Sequence, residues 1–213
     1  MRLTRLPLAV LAAAALAAGC TPSDRPSEQT GSTEPAGTSA EGDAASTDVV
    51  TVRESGVLAV PEDAQTAFTY DQDAAPVGAS MDVEVAEEDE QTTVRLSVQG
   101  FQQDRGYAVH AHTQPCGKTG ADAGPHFQHE QDPAATPDKP STDPAFANAR
   151  NEFWLDLMTD AQGTGESETT VPFGFTDRVP ASIVVHEAEH TMTEPGKAGT
   201  AGARLACLTV TFR

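Results

Sequence analysis

Two histidines separated by a single residue are the clearest chemical feature of the chain. His110 and His112 lie in Tyr107-Ala-Val-His-Ala-His112, a segment that we predict to be a β-strand. Side chains two residues apart on a strand point to the same face, so both imidazoles can bind one metal ion without distortion of the backbone. A lone pair of this kind is more often two solvated polar residues than a metal site. The residues around it therefore decide the interpretation.

Four further short motifs follow along the chain. Cys116 comes four residues after the histidine pair, His126 lies in Gly124-Pro-His-Phe127, and His186 lies in Ile183-Val-Val-His-Glu187. Near the end, Gly199-Thr-Ala-Gly-Ala-Arg-Leu-Ala-Cys207 places Arg204 three residues before a cysteine. In this order the five motifs resemble the copper/zinc superoxide dismutase family. The resemblance extends over most of residues 78–213.

The resemblance implies a copper site and an enzymatic activity. Copper must alternate between +2 and +1 during superoxide dismutation, and a set of three or four neutral imidazoles suits both states. One superoxide anion then leaves as oxygen and a second leaves as hydrogen peroxide. By the same resemblance His126 donates a proton and Arg204 attracts the anionic substrate. The implied copper ligands are His110, His112, His126 and His186.

The chain departs from the family where the family binds zinc. There, the histidine matched by His126 is followed by two more histidines and an aspartate, whereas here no histidine occurs between His129 and His186. We therefore expect a copper-only variant, with His129 and His190 as solvated loop residues. A rebuilt zinc site stays open as an alternative, since zinc accepts both imidazole and carboxylate ligands. Its ligands would be His126, His129, His190 and Glu130 or Asp132.

Two functions from other classes remain alternatives to a copper-dependent antioxidant enzyme. One is a noncatalytic copper-binding lipoprotein that stores or delivers copper with the same four histidines. The other is a structural or interaction domain with a vestigial site. Arg204 favours catalysis over both, because copper storage has no need of an arginine that guides anions.

The N-terminus has the pattern of an export signal with lipid attachment. Residues 1–19 combine Arg2 and Arg5 with an apolar run too short for a comfortable membrane span, and small residues precede Cys20. This pattern predicts a bacterial lipoprotein signal peptide (1–19) with lipidation at Cys20. Residues 20–47, which contain no large apolar side chain, predict a flexible tether, and 48–213 the domain. The predicted location is outside the cytoplasmic membrane, anchored to it; a secreted protein is the alternative.

The remaining cysteines fit the same compartment. If Cys20 carries lipid, Cys116 and Cys207 are left as a pair in an oxidising space, where a disulfide bond is the simplest outcome. Such a bond also agrees with the family resemblance. Two buried free thiols are the alternative.

Acidic residues dominate the charge of the chain. Its 13 Lys and Arg against 32 Asp and Glu give a formal charge of −19, and loss of residues 1–19 removes two arginines to leave −21. No basic stripe is present to neutralise phosphates, so nucleic acid is excluded as a partner. The expected partners are the superoxide anion and, through Cys20, the membrane.

The elements that position the histidines are predicted to be short strands. Apolar and polar residues alternate in several segments, as in Val94, Leu96 and Val98. The pattern predicts an all-β fold, an antiparallel Greek-key β-sandwich or flattened barrel. The polar stretch 127–150 is predicted to be a long functional loop. Besides the histidine strand, the predicted strands are residues 49–60, 66–70, 79–87, 92–99, 152–158, 168–175, 181–187 and 204–212.

Overall fold

The computed structural model describes residues 49–136 and 139–212. The predicted signal peptide and tether, with Cys20, lie outside the described residues, so their boundaries stay predictions. The described residues belong to one compact unit. Within the described ranges, no helix is long and apolar enough to cross a membrane.

Short strands and one turn of 3₁₀ helix (Gly120–Ala123) make up the regular structure of the described residues. The elements agree with the alternation of apolar and polar residues in the sequence. The strands are β1 (Val50–Val57), β2 (Ala67–Thr69), β3 (Ser80–Glu88), β4 (Gln91–Gln99), β5 (Gly106–Tyr107), β6 (Val109–His112), β7 (Leu157–Met158), β8 (Gly165–Val171), β9 (Ser182–His186) and β10 (Arg204–Thr209).

Two four-stranded antiparallel sheets contain most of these strands. One has the order β1-β3-β4-β8 and the other β2-β10-β9-β6, while β5 and β7 form a small third pair. The chain leaves the first sheet after β4, passes through the second, and returns as β8 to lie beside β4. Such long crossings between sheets are typical of a Greek key. The predicted all-β antiparallel sandwich is confirmed.

The strand that carries the histidine pair separates the core from the candidate site. Val109 and Ala111 of β6 pack into the main hydrophobic core, as the alternation of side chains on a strand requires. His110 and His112 therefore project from the opposite face, and both are completely buried. The site thus lies outside the sandwich, beneath the loops that cover β6 and β9.

The predicted strands 49–60 and 204–212 are shorter in the structure, at Val50–Val57 and Arg204–Thr209, and two others differ for identifiable reasons. In 152–158 only Leu157–Met158 forms a regular strand. Trp154 pairs with His110 of β6 in an isolated antiparallel bridge, and the Asp156 carboxylate accepts from the Val109 N–H at 3.1 Å in place of the next ladder bond. Phe153 is nevertheless buried, as its alternation predicted. The strand predicted at 168–175 ends at Val171, since Pro172 has no N–H to continue the ladder.

A disulfide bond joins Cys116 to Cys207. It connects the loop that follows β6 to the middle of β10, across a sequence separation of 91 residues. The backbone N–H of Cys116 also donates to the Thr209 hydroxyl of β10 at 3.1 Å. The predicted bond is confirmed, and it holds the loop that borders the histidine cluster.

Candidate metal centre

The four histidines predicted as copper ligands lie together. His112 and His126 face each other across an isolated antiparallel bridge, which brings the loop after the 3₁₀ helix alongside β6. His186 is the last residue of β9, the neighbour of β6 in the sheet. One nitrogen from each ring lies within 4.8 Å of the others. An imidazole nitrogen binds a transition metal at about 2 Å, so these four atoms surround a space for one ion.

Hydrogen bonds leave some of the ring nitrogens free for a metal. His112 Nδ1 lies 2.9 Å from the Gly124 carbonyl and must donate to it, so Nε2 carries the lone pair. This Nε2 lies 3.1 Å from Nε2 of His186. Nδ1 of His110 and Nδ1 of His186 are buried without any hydrogen-bond partner. A buried imidazole nitrogen without a partner, such as Nδ1 of His110, is what a bound ion would satisfy, so the residues fit a metal.

Burial holds three of the four imidazoles in their neutral form. It lowers the pKa of His110 and of His112 well below 6.5, and the neighbouring histidines, His126 first, lower both further. Burial, aided by His126 and Arg204, lowers the pKa of His186 to about 3. The Gly202 backbone opposes this shift. Neutral imidazole is the form that binds metal, so protons do not compete for these ligands near pH 7.

A buried carboxylate occupies the outer nitrogen of His126. Glu152 is 2% exposed, and its Oε2 lies 3.2 Å from His126 Nδ1. The same oxygen accepts a hydrogen bond from Trp154 Nε1 at 2.8 Å, and Oε1 accepts one from Gln128 Nε2 at 2.8 Å. A histidine that bridged two metals would need both ring nitrogens. Here the second nitrogen is held by Glu152.

The other two histidines of the alternative zinc site lie elsewhere. His129 is exposed and stacks on Phe173, with ring centroids 4.1 Å apart. His190 is exposed as well. In the described ranges, the only group of three or more potential metal ligands is the four-histidine cluster. The structure therefore does not bring together the residues of a rebuilt zinc site.

Arg204 lies at the edge of the cluster. It is paired with His186 across β10 and β9, and its guanidinium donates to the carbonyls of Gly120 and Gly124, the latter at 2.6 Å. The Gly124 carbonyl thus accepts from both Arg204 and His112. Burial lowers the pKa of Arg204 from 12.5, yet an arginine stays charged at physiological pH. A fixed positive charge therefore lies close enough to His112 and His186 to lower the pKa of both.

A cleft of about 900 Å³ leads to the cluster. One wall consists of residues 199–204, and the other includes Gln131, Asp132 and Ser141 from the long polar loop. His126, His186 and Glu152 also line it, whereas His110 and His112 do not. The cluster is thus open to small solutes on the side of His126 and His186.

Sequence reasoning missed three polar residues of the site. Glu152, Trp154 and Asp156 alternate with the buried residues Phe153 and Leu155 and point away from the core. Glu152 contacts His126, Trp154 lies beside His110, and Asp156 accepts from Thr191. The predicted strand at 152–158 already places the three side chains on one face, but nothing in the sequence assigned that face to the histidine cluster. Thr191, described below, has no comparable signal.

Comparisons with known proteins agree with this geometry. The model of the copper/zinc superoxide dismutase (SODC) family matches residues 79–210, more than half of the chain. Nothing among curated proteins matches the chain.

Two solved structures are similar to the chain at low identity. A Cu/Zn superoxide dismutase from Brucella abortus is 14% identical, with a TM-score of 0.48, over 77% of this chain and 100% of that chain. A double mutant of a SOD-like protein from Bacillus subtilis is 17% identical, with a TM-score of 0.46, over 61% of this chain and 87% of that chain.

Proposed function

The chain belongs to the copper/zinc superoxide dismutase family, and from this premise we propose that it is a copper-dependent superoxide dismutase. The observation that carries the proposal is the cluster of four histidines with Arg204 at its edge. A donor set made only of imidazoles suits copper in both of its oxidation states. Storage of copper would require the same ligands but no guanidinium beside them.

The residues of the site support both halves of the reaction. Copper, when bound, supplies one-electron redox chemistry, by which one superoxide is oxidised to oxygen and a second is reduced to peroxide. Two protons complete the hydrogen peroxide. His126 is the best placed of the four histidines to deliver one, because it lines the cleft and its side chain is 20% exposed. Glu152 orients the ring through Nδ1, which leaves Nε2 as the nitrogen that exchanges the proton.

Arg204 would bind the substrate. Superoxide is an anion, and the chain carries a formal charge of −19, so the overall field repels it. Two backbone carbonyls hold the guanidinium in one conformation, so it attracts the anion at the cleft with little further loss of side-chain entropy. The proposal therefore assigns Arg204 to substrate capture and not to metal binding.

We expect the centre to work with copper alone. The support is the Glu152 carboxylate on His126 Nδ1 and the separate positions of His129 and His190. The protein should bind one copper per chain, and its rate of dismutation per copper should be the same with copper alone as with both metals. Elemental analysis together with a direct superoxide-decay assay checks this. A second tightly held metal, with activity that collapses on its removal, would contradict it.

The noncatalytic alternative makes a different prediction for Arg204. If the protein is an enzyme, Arg204→Glu should keep its copper and lose at least about tenfold in rate per copper at low ionic strength. Arg204→Lys should lose less, since the charge survives although the planar fork does not. The difference should shrink at moderate ionic strength, because salt screens charges over roughly 8–10 Å. The measurement is superoxide decay per bound copper at both salt concentrations.

A charge-matched control separates local from overall electrostatics. Arg53 lies on β1 of the other sheet, where its exposed guanidinium pairs with Glu84 at 3.0 Å. Arg53→Glu changes the net charge by the same amount as Arg204→Glu, yet should leave the rate nearly unchanged. If Arg204→Glu matches the wild type under both salt conditions, the storage function is the better one.

The proposed location is outside the cytoplasmic membrane, with Cys20 as the lipid anchor. The leader sequence supports it, and so does the disulfide bond, since such bonds persist in oxidising compartments. Cell fractionation of the wild type and Cys20→Ser distinguishes the anchored protein from the secreted alternative.

A further inference from the structure

A threonine and an aspartate form a hydrogen-bonded chain behind the first of the histidines. Thr191 is buried at 4% exposure in the loop that follows β9. Its hydroxyl lies 2.6 Å from His110 Nε2 and 2.7 Å from Asp156 Oδ1. Its backbone N–H donates to Asp156 Oδ2 at 2.7 Å, so two hydrogen bonds join the threonine to the aspartate.

The direction of these hydrogen bonds follows from the donors that surround Asp156. Both of its oxygens receive backbone N–H groups, one from Val109 and one from Thr191, which favours the ionised, acceptor-only carboxylate. The Thr191 hydroxyl has one proton and must donate it to Asp156. Its lone pair then faces His110, so His110 Nε2 carries the proton and donates. Nδ1 is left with the lone pair, and it is the nitrogen buried without a partner.

The second histidine of the strand is held in the opposite way. His112 donates through Nδ1 to the Gly124 carbonyl, which leaves Nε2 for the metal. Because the two histidines are two residues apart on a strand, their Cα atoms are separated by about 7 Å. If one ring uses its near nitrogen and the other its far nitrogen, both can reach one ion between them. The hydrogen bonds of the two rings thus favour opposite tautomers, an arrangement that suits one shared ion.

We infer that Thr191 and Asp156 are positioning residues, which fix His110 as its Nε2–H tautomer and so present Nδ1 to the metal. The inference rests on the proposed copper site but not on turnover. Thr191 and Asp156 come from separate loops, and His110 lies on β6. The hydrogen-bonded chain therefore also joins the loops that cover the site. Loss of an outer partner of a metal-bound histidine typically costs about 10- to 100-fold in metal affinity.

The first test needs no metal. Long-range ¹⁵N–¹H NMR spectra of the metal-free protein report which nitrogen of each histidine is protonated. In the wild type His110 should be protonated at Nε2 and His112 at Nδ1. If His110 of the wild type is protonated at Nδ1, the inference is overturned without any variant.

The second test compares two substitutions of Thr191. Thr191→Val keeps the shape and removes the hydroxyl, so His110 should populate both tautomers and copper affinity, measured by chelator competition, should fall about tenfold. Thr191→Ser keeps the hydroxyl and should restore both the single tautomer and the affinity. A pure Nε2–H tautomer with wild-type affinity in Thr191→Val would show that Thr191 only packs against the ring. Absence of dismutation in the wild type would contradict the proposed function and leave these readouts intact.

Discussion

His112→Ala should lose most of the bound copper and, with it, measurable dismutation. His112 is completely buried, and its Nε2 lies 3.1 Å from that of His186, at the centre of the cluster. Removal of the ring takes away a metal ligand and leaves a buried space beside the Gly124 carbonyl. Copper affinity should fall by more than about 100-fold, the upper end of the effect of losing only an outer partner. Chelator competition and copper content after dialysis measure it.

Another histidine provides the control for this variant. His129→Ala also removes one imidazole, but His129 is exposed and stacks on Phe173 outside the cluster. Its copper content and rate should equal those of the wild type. Stoichiometric, tightly bound copper in His112→Ala would overturn the assignment of the four ligands. Loss of metal in His129→Ala would instead support the rebuilt zinc site.

Removal of the disulfide bond should lower the free energy of unfolding by about 4–5 kcal/mol, because the bond closes a loop of some 90 residues and restricts the unfolded chain. The double variant Cys116→Ser, Cys207→Ser tests this by denaturant unfolding of the metal-free protein. The bond also restrains the loop whose carbonyls at Gly120 and Gly124 hold Arg204. The rate per bound copper should therefore fall as well.

Reduction of the wild type provides a matched comparison. Dithiothreitol-treated protein should unfold at the same denaturant concentration as the double variant, since both lack only the cross-link. If the free energy of unfolding of the double variant lies within about 1 kcal/mol of that of the oxidised protein, the hydrogen bonds to β10 alone hold the loop. An unchanged rate per bound copper in the double variant would show that the disulfide bond does not contribute to the site.

The regular part of the fold was predictable because its signals are local. Val94, Leu96 and Val98 alternate with polar residues on β4, and all three are buried. The same period of two places His110 and His112 on one face of β6. The predicted strand at 152–158 is reduced to a bridge at Trp154 and a short strand at Leu157–Met158, because the Asp156 side chain takes the place of a backbone acceptor. Alternation reports which face a residue occupies but not which group completes its hydrogen bonds.

The sequence by itself determined the fold class, the four histidines, the cysteine pair and Arg204, because each depends on residue type within a short, ordered motif. Only the tertiary structure decided what the outer nitrogens of those histidines contact. His126 meets Glu152, His112 meets the Gly124 carbonyl, and His110 meets Thr191 across 81 positions of sequence. These partners come from loops, and packing sets how the loops approach β6. No sequence pattern predicts the direction in which a carbonyl or a hydroxyl points. Ligand identity is therefore local information, while tautomer and orientation belong to the folded chain.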